Sequence, residues 1–161
     1  MAAIARPSRF AFRLASRSAN FQATRGYADQ MDFTFAAANK VFYSNSNVKQ
    51  VDVPSFSGSF GILPNHVPTL AVLRPGVVTV FEQDGNSKKV FVSSGTVTIN
   101  EDSSVQVLAE EAHPLEDFDL SAAKEQLNKA QADLSRASSE LEKAEALIAV
   151  EVAEALVQAT Q

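Results

Sequence analysis

Residues 115–161, LEDFDLSAAKEQLNKAQADLSRASSELEKAEALIAVEVAEALVQATQ, contain eleven Ala and no Gly or Pro. Ala, Leu, Glu, Lys and Gln lose little rotamer freedom in a helix, so the chain after Pro114 is predicted to be helical. Asp119 or Ser121 can cap its start by accepting from the free N–H groups of the first turn. Leu120, Ala123, Leu127, Ala130, Leu134, Ala137, Leu141, Ala144 and Ile148 recur at alternating steps of three and four and are expected to form one apolar stripe. The phase runs unbroken through Ser138-Ser139, two weak helix formers. Periodicity therefore admits both one long helix and two helices folded back at that pair. The stripe is narrow and Ala-rich, so at ~25 cal/mol per Å² its burial alone gives marginal stability, and it needs a surface to dock on.

Upstream of this segment the pattern changes to a period of two. Met31, Phe33 and Phe35 alternate with Asp32 and Thr34; Val48, Val51 and Val53 form a looser series, and Val77, Thr79 and Phe81 another. Asn45-Ser46-Asn47, Pro54, Arg74-Pro75-Gly76, Asp84-Gly85-Asn86, Gly95 and Glu101-Asp102-Ser103 read as turns at sandwich-like spacing. Gln83-Asp84-Gly85-Asn86 is the clearest hairpin, because Gly85 can supply the positive φ that a tight turn needs. The expected architecture is an all-β sandwich over 28–113 followed by an α-helical tail over 114–161.

The remaining segment, residues 1–27, carries Arg6, Arg9, Arg13, Arg17 and Arg25, many Ser and no acid. Its apolar residues are interleaved with the arginines, the composition of a mitochondrial transit peptide. Arg25-Gly26-Tyr27 before Ala28 reads as a matrix processing site, with the cut between Tyr27 and Ala28. Residues 28–161 then hold all 19 acids against nine bases, a balance of −10. Such a body repels phosphate backbones and anionic lipid, so nucleic acid is not an expected partner, and neutral or basic proteins are. Apolar runs are far short of the ~18 residues that span a bilayer, which predicts a soluble chain without a membrane span.

Catalytic chemistry has little material here. There is no Cys, hence no thiolate metal site and no cysteine nucleophile. His66 lies in a loop without a nearby carboxylate, and His113 stands among Glu110, Glu111, Glu116, Asp117 and Asp119, which read as a solvated acidic linker rather than a metal site. No phosphate-binding glycine loop or nucleophile elbow is present. The expectation is no cofactor, no metal and no catalysis. An unrelated sandwich enzyme using His66 or His113 as base is the competing class.

The most informative loop is SGSFGILPNHVPTLAVLRPG, Ser57 to Gly76. Pro64 and Pro68 fix their own φ and bias Leu63 and Val67 to extended backbone, so Asn65-His66 is expected in a stiff, projecting connection. Ile62 and Leu63 are read as tucked beneath the sandwich, with Ser59, Asn65 and His66 at a rim.

GSFGILPNHVPTLAVLRPG resembles the GEFGILPGHxPLLTxLKPG signature of the small central-stalk subunit of F-type ATP synthases, called delta in mitochondria and epsilon in bacteria and chloroplasts. The resemblance extends from residue 31 to about residue 158. It implies a non-catalytic rotor component in the mitochondrial matrix, peripheral to the inner membrane, that couples the proton-driven c-ring to the gamma shaft and ATP synthesis. The sandwich and a helical hairpin would hold gamma and a very small third stalk subunit (mitochondrial epsilon). Ser59, Phe60, Ile62, Leu63, Pro64, Asn65 and His66 would face the c-ring. Ser59 replaces a frequent Glu of bacterial relatives, and Asn65 a frequent Gly. Ala132-Asp133-Leu134-Ser135-Arg136-Ala137 resembles the I/L-D-x-x-R-A motif of relatives that bind ATP, apart from Ala132. Under that alternative Asp133 meets adenine and Arg136 phosphate, and the tail switches between folded and extended forms. The plainer reading is an i, i+3 ion pair on the helix surface.

Overall fold

The computed structural model describes residues 30–161. The transit-segment expectation for residues 1–27 and the cleavage site at Tyr27 and Ala28 lie outside them. Alternation in the N-terminal strand places Met31, Phe33 and Phe35 in the core while Asp32 faces water. This strand, β1 (Met31–Ala37), is followed by β2 (Val41–Ser55), β3 (Gly58–Ile62), β4 (Thr69–Leu73), β5 (Gly76–Glu82), β6 (Ser87–Val92), β7 (Gly95–Ile99), β8 (Val105–Ala109) and β9 (Ala112–Pro114). A 3-10 turn at Leu115–Asp117 leads to helices α1 (Leu120–Arg136) and α2 (Glu140–Ala159). The result is an all-β sandwich followed by a helical hairpin.

The long strand β2 joins the two layers. Its first half pairs with β1, which runs parallel to β8, and β7 and β4 complete that layer. Its second half lies between β3 and β5, and β6 and β9 follow. Val97, Val107 and Phe35 from one layer meet Val51, Val53, Val78, Val80 and Val92 from the other in a continuous core. Two expected turns are thus internal to β2. Asn45-Ser46-Asn47 forms a bulge, in which Asn45 adopts φ +48° and donates its N–H to Thr34 Oγ1 at 3.2 Å. The register shifts by one residue there, from Phe33↔Ser46 to Phe35↔Tyr43, so the strand bends without ending. Pro54 is tolerated because its carbonyl still accepts from Arg74 N at 3.1 Å.

The hairpin at Gln83–Asn86 matches the expectation. Gly85 has φ +89°, its N–H reaches Glu82 O, and Glu82 N donates to Asn86 O at 2.8 Å.

The helical tail takes the folded-back form. Asp119 caps α1 by accepting from Ser121 N at 2.8 Å. Ala137, with ψ 123°, and Ser138 leave helical geometry, and Ser139 caps α2 through a reciprocal capping box with Glu142. The expected single stripe fails in α2: Leu141, Ala144 and Ile148 are exposed, while Ala146, Ala153 and Val157 are buried. The non-helical residues at the bend rotate α2 about its axis, so another face meets α1.

Glu142 Oε2 accepts from the N–H groups of Ser138 and Ser139 and the Ser138 hydroxyl at 2.8–3.1 Å, which holds its carboxyl below the usual range. A depressed folded-state pKa adds stability above the unfolded value and loses it as pH falls through the folded one. Amide exchange at Ser138 and Ser139 is therefore expected to accelerate as pH falls below the ordinary Glu value of 4.5. In Glu142→Gln, exchange corrected for intrinsic rates should already be fast at neutral pH and flat with acidification.

Candidate functional site

The loop after β3 owes its shape to Pro64 and Asn65. Leu63 O accepts from His66 N at 3.1 Å across Pro64 and Asn65, and Asn65 adopts φ +64°. That is a type II turn, with Pro at the second position and a left-handed residue at the third. Asn65 is tied down by Ser103, whose buried hydroxyl accepts from Asn65 N at 3.1 Å and donates to Asn65 Oδ1 at 3.3 Å. His66 Nδ1 donates to Val67 O at 2.9 Å, and its ring centroid lies 6.0 Å from that of Phe60. Asn65→Val is expected to cost about 1–3 kcal/mol, since a β-branched residue is strained at this φ, whereas Asn65→Gly should be milder; urea titration of both checks this.

The seven residues expected at one contact surface are divided by the fold. Ile62 is fully buried in the core and cannot present its side chain to a partner, whereas Leu63, read as tucked away, is 53% exposed. Alternation is the reason, since Val51↔Ile62 pairing points Ile62 inward and the next side chain outward. Ser59 lines a cleft with Arg74, Ala155, Gln158 and Ala159, so it faces the end of α2. Leu63, Pro64, Asn65 and His66 stay together at the opposite end of β3.

A larger surface emerges on the outer face of the β4-β7-β8-β1 layer. The register aligns Val72, Thr96, Leu108, Ala36 and Val41 in one row and Leu70, Thr98, Gln106 and Thr34 in the next. None of these side chains is charged. Leu70 is 74%, Val72 59%, Leu108 53% and Val41 59% exposed. Phe56, 84% exposed, extends the face beside a groove of about 470 Å³ lined also by Ser55, Leu70 and Val72. An uncharged face with five large apolar side chains exposed, on an otherwise acidic body, has the character of a protein contact. Sequence reading missed it because strands with apolar residues at both alternating positions, such as Thr69–Leu73, read as wholly buried. The helical tail was available to cover such a strand, and only the structure shows that α2 packs on the β5 side and leaves β4 exposed.

Of the nucleotide motif, Asp133, Arg136 and Ala137 line a groove of about 520 Å³ between α1 and α2. No ion pair joins Asp133 and Arg136; among the described residues the ion pair formed is Lys88–Glu82, at 2.8 Å. Glu142 and Glu145 line the same groove, so a polyphosphate would meet three carboxylates and a single guanidinium. Among the described residues no His, Asp and Glu group is placed to hold a metal. His113 pairs with Phe91 in the β6–β9 ladder, and its ring sits edge-on to Phe118 at 6.1 Å.

Comparison with known proteins agrees with this architecture. Residues 30–115 match the family described as ATP synthase, Delta/Epsilon chain, beta-sandwich domain. Residues 118–159 match the Metazoan delta subunit of F1F0-ATP synthase, C-terminal domain. The chain belongs to the ATP synthase delta/epsilon family. It is 48% identical to the Caenorhabditis elegans protein named ATP synthase subunit delta, mitochondrial, over 85% of this chain and 90% of the relative. It is 46% identical to the Saccharomyces cerevisiae protein of the same name, over 88% and 91%. Among solved structures, a chain of the Euglena gracilis mitochondrial ATP synthase, in an OSCP/F1/c-ring assembly, superposes with TM-score 0.76 at 26% identity, covering 83% of this chain and 82% of that one. A chain of the Tetrahymena thermophila mitochondrial ATP synthase central stalk and c-ring shares the fold, with TM-score 0.62 at 16% identity, covering 81% and 96%.

Proposed function

We propose that this chain is the delta-type central-stalk subunit of a mitochondrial ATP synthase, a non-catalytic rotor part that transmits c-ring rotation to the gamma shaft. The observation that carries the reading is the charge-free outer face of the β4-β7-β8-β1 layer, which asks for a protein partner. The names of its relatives and the assemblies of its structural neighbours support the same role. Gamma and the small third stalk subunit occupy that face and the exposed Leu141, Leu147 and Ile148 of α2. Leu63, Pro64, Asn65 and His66 turn toward the c-ring. The part works on the matrix side after residues 1–27 are removed at Tyr27–Ala28, with a sandwich domain over 28–113 and a helical domain over 114–161.

The role is mechanical. Shear across a hydrogen-bonded sandwich must break many ladder bonds together, so the domain passes torque as a stiff body. Depleting the chain from its host should abolish proton-driven ATP synthesis by isolated mitochondria, and restoring it should recover synthesis. Full coupled synthesis in depleted mitochondria would reject the reading. The ATP-sensing alternative gains no support from a groove in which carboxylates outnumber the one guanidinium.

A further inference from the structure

The outer edge of β6 carries a second, separate feature. β9 is short and stops with Pro114 opposite Val90, after which the chain enters the 3-10 segment, which touches β6 but adds no strand pairing and brings Glu116 to the rim of both neighbouring grooves. Ser87, Lys88 and Lys89 are thus paired with β5 on one side and with no strand on the other. The Glu82↔Asn86 hydrogen-bonded pair sets the ladder's alternation, so the backbone N–H and C=O groups of Ser87 and Lys89 point to the open edge.

Lysines flank this edge on both sides. Lys88 alternates with the core residues Val90 and Val92 and lies 5.5 Å over the Tyr43 ring, near Lys40, which lies 5.3 Å over Phe42. Lys40, Phe42, Tyr43, Lys88 and Lys89 line one groove of about 340 Å³. Lys89 alternates with Phe91 and also lines a second groove of about 390 Å³ with Phe118, Thr160 and Gln161. The grooves share Ser87, Lys89 and Glu116, so they form one channel along the open edge. Three of the nine Lys and Arg of residues 30–161 gather here. Lysines on a free edge repel cationic strands and leave an uncharged one little to gain, which guards against self-pairing. An acidic strand meets the opposite condition.

We infer that the Ser87–Lys89 edge of β6 is a docking site for an extended acidic segment of a partner protein, which adds to the sheet as a further strand. Main-chain hydrogen bonds to Ser87 and Lys89 supply register. Successive side chains of an added strand alternate between faces, so adjacent carboxylates reach Lys40 on one side and Lys89 on the other, while Lys88 stays ion-paired with Glu82 at 2.8 Å. The strand-unpaired backbone N–H and C=O groups of Ser87 and Lys89 offer donors and acceptors in turn along the edge, which suits a peptide rather than a phosphate. The site does not depend on the stalk assignment.

The test uses the full chain, isotopically labelled, and a short synthetic peptide with adjacent Glu and Asp between Thr and Val. The expected result is amide shifts centred on Ser87–Lys89, with affinity about tenfold lower for Lys40→Glu/Lys89→Glu and unchanged for Lys124→Glu. A Gln/Asn version of the peptide, and one N-methylated at alternate backbone positions, should each bind at least about tenfold more weakly. Equal binding of either control peptide overturns the proposal, as does a shift pattern centred elsewhere. Displacement of the peptide by millimolar pyrophosphate, at constant ionic strength and with the same shifts, would reassign the groove to phosphate and reject the peptide reading. Concentration-dependent dimerisation through these residues without peptide would reject it in favour of a second copy.

Discussion

A Val72→Asp/Leu108→Asp variant is expected to fold as the parent does and to lose about 1,000-fold of its affinity for gamma, its proposed partner. Both side chains are more than half exposed, so the isolated chain gives up little on substitution. They flank Thr96 in one cross-strand row, near the middle of the uncharged face. A carboxylate there would be desolvated beneath a partner without a countercharge, and central interface positions each contribute around 2 kcal/mol or more. Titration calorimetry of the variant against purified gamma measures the loss, with urea denaturation confirming an unchanged midpoint. Parental affinity in the variant would move the contact to the outer face of α2, around Leu141, Leu147 and Ile148.

The second large effect concerns stability. Gly95 opens β7 opposite Ala109, and a Cβ at this position would collide with the Leu108 carbonyl oxygen and lie 2.8 Å from Ala109 Cα. Both obstacles are backbone atoms of the paired strand, which cannot rotate aside. Gly95→Ala is therefore expected to cost about 2–4 kcal/mol, of the order of other overpacking changes. The urea midpoint should fall at unchanged slope, because the same surface is exposed on unfolding. A midpoint within error of the parent would show that β7 and β8 separate at no cost. Gly85→Ala tests the other kind of glycine: nothing crowds its Cβ position, and only its φ of +89° resists substitution, so its penalty should be smaller.

These residues also show what could be read before any fold was known. Met31, Phe33 and Phe35 announced a strand and its inward face together, since the alternation that makes a strand amphipathic also selects the side it buries. Gln83–Asn86 announced a hairpin because its turn chemistry is local. The loop signature at Gly58–Gly76 pointed to the family, yet it treated Ser59 and His66 as neighbours on one surface. β3 separates them, and Ser59 ends against α2. The bulge at Asn45 was also hidden: Asn-Ser-Asn is turn chemistry in a peptide, and only pairing with β1 keeps the strand running through it.

By itself the sequence determined where strand gives way to helix, a cap at the start of the tail within Asp119–Ser121, and the hairpin turn, because each depends on residues within a few positions of one another; the capping box of Ser139 with Glu142 became visible only in the structure. It also determined the acidic character of the body and the identity of the core-facing residues of β1. Periodicity left open whether the tail folds back, the family resemblance implied a hairpin, and only the tertiary structure decided that a new face of α2 turns inward. The uncharged face of the sandwich and the open edge of β6 were likewise set only there. Register between strands far apart in the chain brings Val72, Leu108 and Val41 into one row, and Lys40 beside Lys88. That register is set by which apolar residues can share one core, a condition on the whole molecule that no single stretch of chain contains.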